Sequence, residues 1–490
     1  MNLLIDPWVP VKHGELFCHV TYEDILCRDE DWRISLPRDD MELGALQLLI
    51  SLTQAIFPPL DKKELKDRIS APLNADVFSS KTGPFLEWFD LLHSKTPFMQ
   101  TPDTMAKEIT PIQKLFIGLP EGNNHAFFNG TGEISLACPG CAAVALFNQA
   151  TNCPSFGGGF KAGLRGNAPI TTLVGEKSLR ATIWYNVVSR EILNAALPDD
   201  PSPDVPVWVQ PLMRDEVILL QHIGLIRGLF WQPCHIKILW ENSPSVCDLC
   251  GGKADGLAFG FRKEKFTYNL MDEALKWPHP HSPRRWEMKE DKKEEKFASF
   301  TTTTPTWTQL TTMLIRKEDK ERQGQTPALV VSQYREVFRG RKLNLIVGGY
   351  RNNKASVLER RHELFSLPEG WDTNSDDWEE CINEALAIKD LLRKKTYGLS
   401  KAIGVGGLAN EAETLFYQDS ESLIHEVLRA LDWREAAQVR DGLQKRLIDL
   451  AKRIFEEIAR PYLHDPKLIK AVAKSRRSLW AELAKRRSVK

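Results

Sequence analysis

Two tight cysteine pairs, Cys138-Pro-Gly-Cys141 and Cys247-Asp-Leu-Cys250, are the residues of this 490-residue sequence best spaced for chemistry. Each pair has turn-forming residues within it or, as Gly251 and Gly252, just after it. Four thiolates in a tetrahedral array are the donor set of a closed structural zinc site, which leaves no open position for catalysis. The pairs stand more than a hundred residues apart, whereas a zinc ribbon separates them by about 15 to 20. Chance pairs and thiol redox activity therefore stay open beside zinc, which the spacing favours. A bound metal would clamp two distant segments of one domain. The stretch WPHPHSPRRW adds His279 and His281 as possible ligands, though a proline-rich loop predicts surface histidines. HExxH, GxSxG and Walker motifs are all absent from the sequence. A zinc-dependent nucleic-acid-modifying enzyme is accordingly the rival function and not the leading one.

The second candidate is CPSFGGGFKAGLRGNAP, residues 153 to 169, in which Gly157, Gly158 and Gly159 lie between two phenylalanines and are followed by Lys161 and Arg165. Glycines let backbone N–H groups close on an anion, and basic side chains complete such a cradle. The spelling matches neither a P-loop nor a dinucleotide loop. A plain turn and a close approach to nucleic acid are the two remaining readings. Three more stretches mix basic, polar and turn residues. FGFRKEKFTY carries Arg262, Lys263 and Lys265 among alternating aromatics; VGGYRNNKASVLERRHE places Arg351, Asn352, Asn353 and Lys354 at an expected turn; NNHAFFNGTGE, 123 to 133, carries Phe127, Phe128 and Asn129. Each alone reads as an ordinary hairpin or loop, whereas together they read as a distributed DNA or RNA surface.

What must position these residues is a large chain with 42% hydrophobic residues, enough for one large core or two to three ordinary ones. Lysine plus arginine and aspartate plus glutamate both number 65, so attraction to nucleic acid has to come from local patches. MNLLIDPWVPV breaks its apolar run at Asp6 and Pro7 and carries no basic leader, no apolar run is long enough to span a membrane, and nine cysteines are an odd count. The expectation is a cytoplasmic protein with free or metal-bound thiols. The first strands read as strand, turn, strand. A buried helix follows, with an expected capping box of Asp39 and Glu42 and an apolar series Leu43, Leu46, Ile50, Thr53 and Phe57. From about 110 to 365, short apolar runs (ATIWYNVV, ALVVSQY, LNLIVGGY) between Gly, Pro and Asn predict mixed α/β structure. After about 370 the periods become helical. Val439, Leu443, Leu447, Leu450, Ile454 and Ile458 form one stripe behind an expected Asp432/Glu435 box, and Leu468, Val472, Leu479 and Leu483 form another. With helices at about 375 to 397 and 408 to 431, the count is four. The predicted class is α+β: a mixed α/β domain over 1–367, then a C-terminal four-helix bundle over 368–490. Residues 433 to 490 hold 16 Lys or Arg against 7 Asp or Glu, which reads either as a solvated face or as a phosphate-binding one.

Taken together, these motifs resemble the CasA family, the large subunits of the type I-E CRISPR Cascade complex. The likeness runs nearly end to end: NLLIDPW at the start, SLPRDDMEL at 35 to 43, PFMQT at 97 to 101, ALFNQA at 145 to 150, FGGGFKAGLRG at 156 to 166, RGLFWQP at 227 to 233, KEKFT at 263 to 267, WPHPHSP at 277 to 283, and GGYRNNKAS with LERRH at 348 to 362. The resemblance implies a subunit that inspects double-stranded DNA for the protospacer-adjacent motif (PAM), helps open the duplex for R-loop formation and breaks no bonds itself. Its partners would be the other Cascade subunits, CRISPR RNA, target DNA and a helicase-nuclease recruited afterwards. By the same likeness Gly157, Gly158 and Gly159 enter the minor groove, which at about 6 Å admits backbone more readily than side chains. Lys265, with Lys263 beside it, matches the family's lysine finger. Asn353 and Lys354 match the wedge at the hairpin tip, although a glutamine is familiar where Lys354 stands. Phe127 and Asn129 match a segment that docks on the guide RNA's 5′ handle and the neighbouring subunit.

Overall fold

The computed structural model describes residues 1–119, 132–197, 204–271, 276–319 and 322–487. The chain opens as the sequence predicts, with strand Val9–His13 pairing antiparallel to Leu16–Val20. Helix Asp39–Ile56 then runs through the core, and all its residues but Asp39 and Glu42 are buried. A helix apolar on every side belongs inside, and its polar residues are matched there: the Tyr22 hydroxyl lies 2.9 Å from Thr53 Oγ1, and Gln54 bridges both backbone groups of Val188. The expected Asp39/Glu42 capping box does not form. Arg38 is the N-cap, its side chain making no capping bond to the helix amides, and Glu42 Oε1 instead reaches back to the Leu36 amide at 3.0 Å. Burial of Asp40 with Arg38 draws the chain into the core one residue early, so Asp39 is already helical.

The middle of the chain alternates short strands and helices. Leu257–Glu264 is the centre of a three-stranded sheet between Thr110–Pro111 and His235–Glu241. Strand Leu343–Asn353 lies between Ser356–Leu367 and Thr171–Val174, and Arg284–Lys289 with Lys292–Phe297 forms a hairpin in a four-stranded sheet. Of the three apolar runs, only LNLIVGGY is a strand. ATIWYNVV falls in helix Leu179–Tyr185 and ALVVSQY in helix Leu329–Val337. One continuous core joins Trp8, Tyr22, Leu46, Phe147, Phe230 and Trp277.

The chain divides into two compact units, one of residues 1–302, 312–337 and 345–364, the other of 303–311, 338–344 and 365 onward. The second is helical: Ser375–Ile403, Leu408–Ala430, Ala436–Ala459 and Pro466–Arg487. The apolar stripes face inward as predicted, with Leu443, Leu447, Leu450, Ile454 and Ile458 buried, and Val472, Leu479 and Leu483 at 0% exposure. Asp432 caps a short 3₁₀ turn, Trp433–Glu435, by accepting from the Arg434 amide at 3.0 Å, so the second expected box is also replaced by a tighter turn.

Candidate functional site

Cys138 is the N-cap of the buried helix Pro139–Thr151, and its sulfur accepts from the Cys141 amide at 3.5 Å. Pro139 fills the first helical position, where its missing N–H is not needed. Gly140 is dictated by space, since a Cβ there would stand 2.9 Å from the Trp8 carbonyl. The second pair sits on a knuckle closed by Gly251 N to Cys247 O and Cys247 N to Gly252 O, both 2.9 Å. Asp248, between the paired cysteines, ties the two knuckles together: its Oδ2 accepts from the amides of Ser135 and Leu136, 2.8 Å each.

The four sulfurs consequently lie within 4.8 Å of one another, with Cys138 and Cys250 at 3.7 Å. A tetrahedral ZnS₄ centre with bonds of about 2.3 Å has edges of about 3.8 Å, so the donor set fits zinc. Hydrogen bonds from Cys138, Cys141 and then Cys247 hold the Cys250 thiol far below its ordinary range, and those from Cys138 and Cys141 lower Cys247 to about 7. The Cys141 thiol is pushed up by its bonds to Cys138 and the other two. Two sulfurs held toward thiolate beside two, Cys138 and Cys141, held as thiols leave two protons to be released when a metal takes all four. His19 also hydrogen-bonds Cys250. The quartet is a metal-competent site joining two distant chain segments, in keeping with the expected clamp.

His279 and His281 are not part of it. Both were expected at the surface and both are buried, at 2% and 0% exposure. The correction has a physical cause: Gln47 meets His281 Nδ1 at 3.1 Å, and the rings pack with Trp277 beside buried Arg165. Burial, then the charge of Arg165, pushes the His279 pKa well below its ordinary value and that of His281 down to about 3. Neutral histidines locked in a core are not ligands of the cysteine centre, and the zinc-enzyme alternative loses its residues.

The glycine loop adopts three consecutive left-handed conformations, with φ of 78°, 56° and 90° at Gly157, Gly158 and Gly159. Only glycine visits that region freely. Its flanks are fixed by aromatic packing: Phe156 and Phe160 meet edge to face at 5.7 Å, and Phe156 also lies 5.8 Å from Phe261. A Cβ at Gly157 would stand 3.0 Å from Ala355 Cβ at the tip of the 343–367 hairpin, and one at Gly159 would stand 3.3 Å from Lys265 Nζ, whereas Gly158 faces open space. Three stretches some hundred residues apart in sequence thus meet at one place.

The charged residues around it differ in freedom. Lys265 is exposed, with its ammonium 6.0 Å from the Phe160 ring. Lys263 is half-buried, donates to Thr110 Oγ1 at 2.6 Å and lies over the Phe156 and Phe261 rings. Lys161 donates to the Tyr268 carbonyl and sits 4.3 Å above that residue's ring. Arg351 pairs with Glu359 at 2.8 Å. Asn353 and Lys354 are exposed at the hairpin tip, with Lys354 held at φ 54°, uncommon for a residue with a side chain. Phe127 and Asn129 lie outside the described residues. Sequence patterns did not single out Thr110, Tyr268, Ala355 or Asp248, because each acts only through a partner distant in the chain.

Among the described residues no helix is long and apolar enough to cross a membrane. The profile of the family described as CRISPR-associated protein Cse1 matches residues 2–454. A curated relative, CRISPR-associated protein CasA/Cse1 of Thermus thermophilus, is 28% identical over 222 residues, 44% of this chain and 43% of the relative's length. The fold is similar to the solved structures of Thermus thermophilus CasA (Cse1) (TM-score 0.75, 19% identity, 99% of both chains) and of Thermobifida fusca Cse1 (0.79, 17%, 99% of this chain and 98% of that one). It is also similar to a chain of a CRISPR RNA-guided surveillance complex (0.66, 16%, 98% of this chain and 99% of that one). Family membership makes the chain a structural subunit and not an enzyme. A profile that spans nearly the whole chain, with a shared fold over the same length, places this protein in the Cse1 (CasA) family, the large subunits of type I-E CRISPR Cascade.

Proposed function

We propose that this subunit, assembled in the cytoplasm with the other Cascade subunits and CRISPR RNA, reads the protospacer-adjacent motif of double-stranded DNA from the minor groove and starts R-loop formation there. The observation that carries the proposal is the meeting of the glycine loop, Lys265 and the tip of the 343–367 hairpin. Gly157, Gly158 and Gly159 present backbone to the narrow groove, Lys265 reaches a base edge or phosphate beside it, and Asn353 with Lys354 parts the first base pair beyond the motif. Lys263 and Lys161 hold the surrounding aromatic frame, and Arg351 stiffens the hairpin through Glu359. Minor-groove edges are degenerate, so several motif sequences are tolerated. R-loop formation exchanges one duplex for another of similar stability, which leaves nucleation as the step a motif reader controls. The helical unit holds the displaced strand and helps recruit the helicase-nuclease once the loop is complete. Phe127 and Asn129 dock on the guide's 5′ handle. The four cysteines hold zinc as a structural clamp, supplying fold closure and no reaction chemistry.

The test is the affinity of the assembled complex for guide-matched duplexes flanked by a randomised segment, whose bound fraction defines the motif. Gly158→Asp places a carboxylate in the open space above the loop and abolishes the preference for motif-bearing duplexes while assembly persists. Preserved discrimination in that variant would remove the glycine loop from motif reading.

A further inference from the structure

Beneath the three meeting stretches runs a chain of buried polar side chains that no catalytic or metal chemistry requires. Asp40 Oδ2 accepts from the Tyr350 hydroxyl at 2.9 Å, and that hydroxyl accepts from Asn148 Nδ2 at 2.8 Å. Asn148 Oδ1 accepts from Asn152 Nδ2 at 2.8 Å, and Asn152 Oδ1 accepts from Arg165 Nη1 at 2.5 Å. Asp40 is also bound by Arg38, whose Nη2 donates to the Ile117 carbonyl at 2.6 Å, and by Arg360 at 3.3 Å. Asp40, Asn148, Asn152, Arg165 and Tyr350 are all buried.

These side chains belong to the bases of the functional loops. Asn152 precedes the glycine loop and Arg165 lies near its end, while Tyr350 and Arg360 stand on the two strands of the hairpin. A small apolar cluster, separate from the main core, repeats the same connection. It consists of Ile117, Cys153, Ala168 and Tyr350, with Val357 packed against them. Cys153 and Ala168 are the two ends of the loop, and both sit in the cluster formed with the Tyr350 ring. Ala168 is held at φ 52°, a strained conformation for a residue with a Cβ. The loop and hairpin therefore touch at their bases through Tyr350 and at their tips through Gly157 and Ala355.

We propose that Tyr350 is a positioning residue that sets the glycine loop and the hairpin tip in register, so that motif reading and strand separation both depend on its hydroxyl; this rests on the motif-reading function proposed above. Its ring fixes the spacing of the loop ends, and its hydroxyl fixes the rotation of the hairpin against helices Asp39–Ile56 and Pro139–Thr151. The residue touches no nucleic acid in this role. A fully hydrogen-bonded buried network specifies one arrangement of the elements it joins, and loops that must act on adjacent base pairs need that arrangement.

Tyr350→Phe keeps the ring and removes the hydroxyl. In the assembled complex we expect affinity for motif-free duplex within about twofold of wild type, while the ratio between motif-bearing and motif-free duplex falls about tenfold, the scale of one buried hydrogen bond. Opening of the first base pair beyond the motif, followed by 2-aminopurine fluorescence, slows by a similar factor. Val357→Ala, which trims the same cluster from the hairpin side, gives a smaller drop of about threefold, and it carries the test if Tyr350→Phe does not fold. A lowered Tm with unchanged discrimination and unchanged opening would mean a structural tyrosine only and would overturn the proposal. Gly158→Asp separates the two levels: if it abolishes discrimination and Tyr350→Phe does not, the positioning role alone fails; if it too has no effect, motif reading by the loop fails as well.

Discussion

The helical unit and the loop cluster carry their cations differently: in the first, several arginines are clamped between helices, and in the second, two lysines stand free beside unusual backbone. In the helical unit Arg446 pairs with Glu426, Arg453 with Asp419, Arg476 with Glu456 and Arg486 with Glu384, at 2.5 to 3.1 Å. Part of the basic surplus of residues 433 to 490 is thus met by acids of the two earlier helices, Glu384, Asp419 and Glu426. In the loop cluster Lys265 and Lys354 have no ion-pair partner among the described residues, and both stand exposed beside backbone in unusual conformations. Charge counting points to the first region and conformation points to the second. Surface ion pairs contribute about 0 to 1 kcal/mol each, whereas an unpaired lysine beside a preformed loop has its whole interaction left to give to a phosphate.

Four measurements sharpen or break that contrast, and the first concerns what holds the loop region together at all. Structural zinc is worth on the order of 10 kcal/mol of folding energy, so Cys250→Ser should leave little soluble protein, and metal analysis of the wild type should find about one zinc per chain. A wild type without zinc and with unaltered melting after chelation would take the metal out of the account.

Acid is the second probe. Buried neutral His279 and His281 have pKa values lowered from the ordinary 6.5, so their contribution is fully present above pH 6.5 and is lost as pH falls toward about 3. At pH 5.5 each costs about 1.4 kcal/mol, roughly 3 kcal/mol together. Melting curves across this range should show the loss, and replacing both histidines by glutamine should flatten it; an unchanged slope would mean that they stay protonated inside. His425 in the helical unit shifts in the same direction, but it is only half-buried, so a smaller effect is expected there.

Third, Lys265→Ala should weaken target binding by the assembled complex about tenfold and reduce the salt slope by about one. The smallest effect is expected in the helical unit, where Arg453→Gln should change DNA affinity less than about twofold, because Asp419 already holds the guanidinium. Equal effects of these two substitutions would erase the distinction between the regions.

Legibility in the sequence follows the same divide. The helical unit could be read because its information is periodic: the Val439 to Ile458 stripe needs only the geometry of one helix, and its positions are buried as expected except Val439, which is half-buried, as is Leu468 in the following stripe. The cysteine pairs could be read because type and spacing within each knuckle fix the donor directions. The capping boxes failed where tertiary burial of Asp40 and a tight turn at Trp433 overrode a local pattern. His279 and His281 were misplaced because their burial depends on Gln47 and Arg165, each more than a hundred residues away in sequence. The contact of Gly157 with Ala355 and the Tyr350 network have no local signature, and family likeness pointed to the loops without showing that they touch.

The three left-handed glycines also carry a stereochemical consequence. Mirror-image residues favour positive φ, so D-alanine at position 158, introduced by chemical ligation, would sit unstrained at φ 56°. L-alanine would put its methyl group in open space but carry a conformational cost of about 1 to 2 kcal/mol. Chirality thus separates what the chain needs in order to bend from what the groove needs in order to admit it: a loop that only has to turn accepts the D-residue as readily as glycine, and a loop that enters DNA rejects both enantiomers alike.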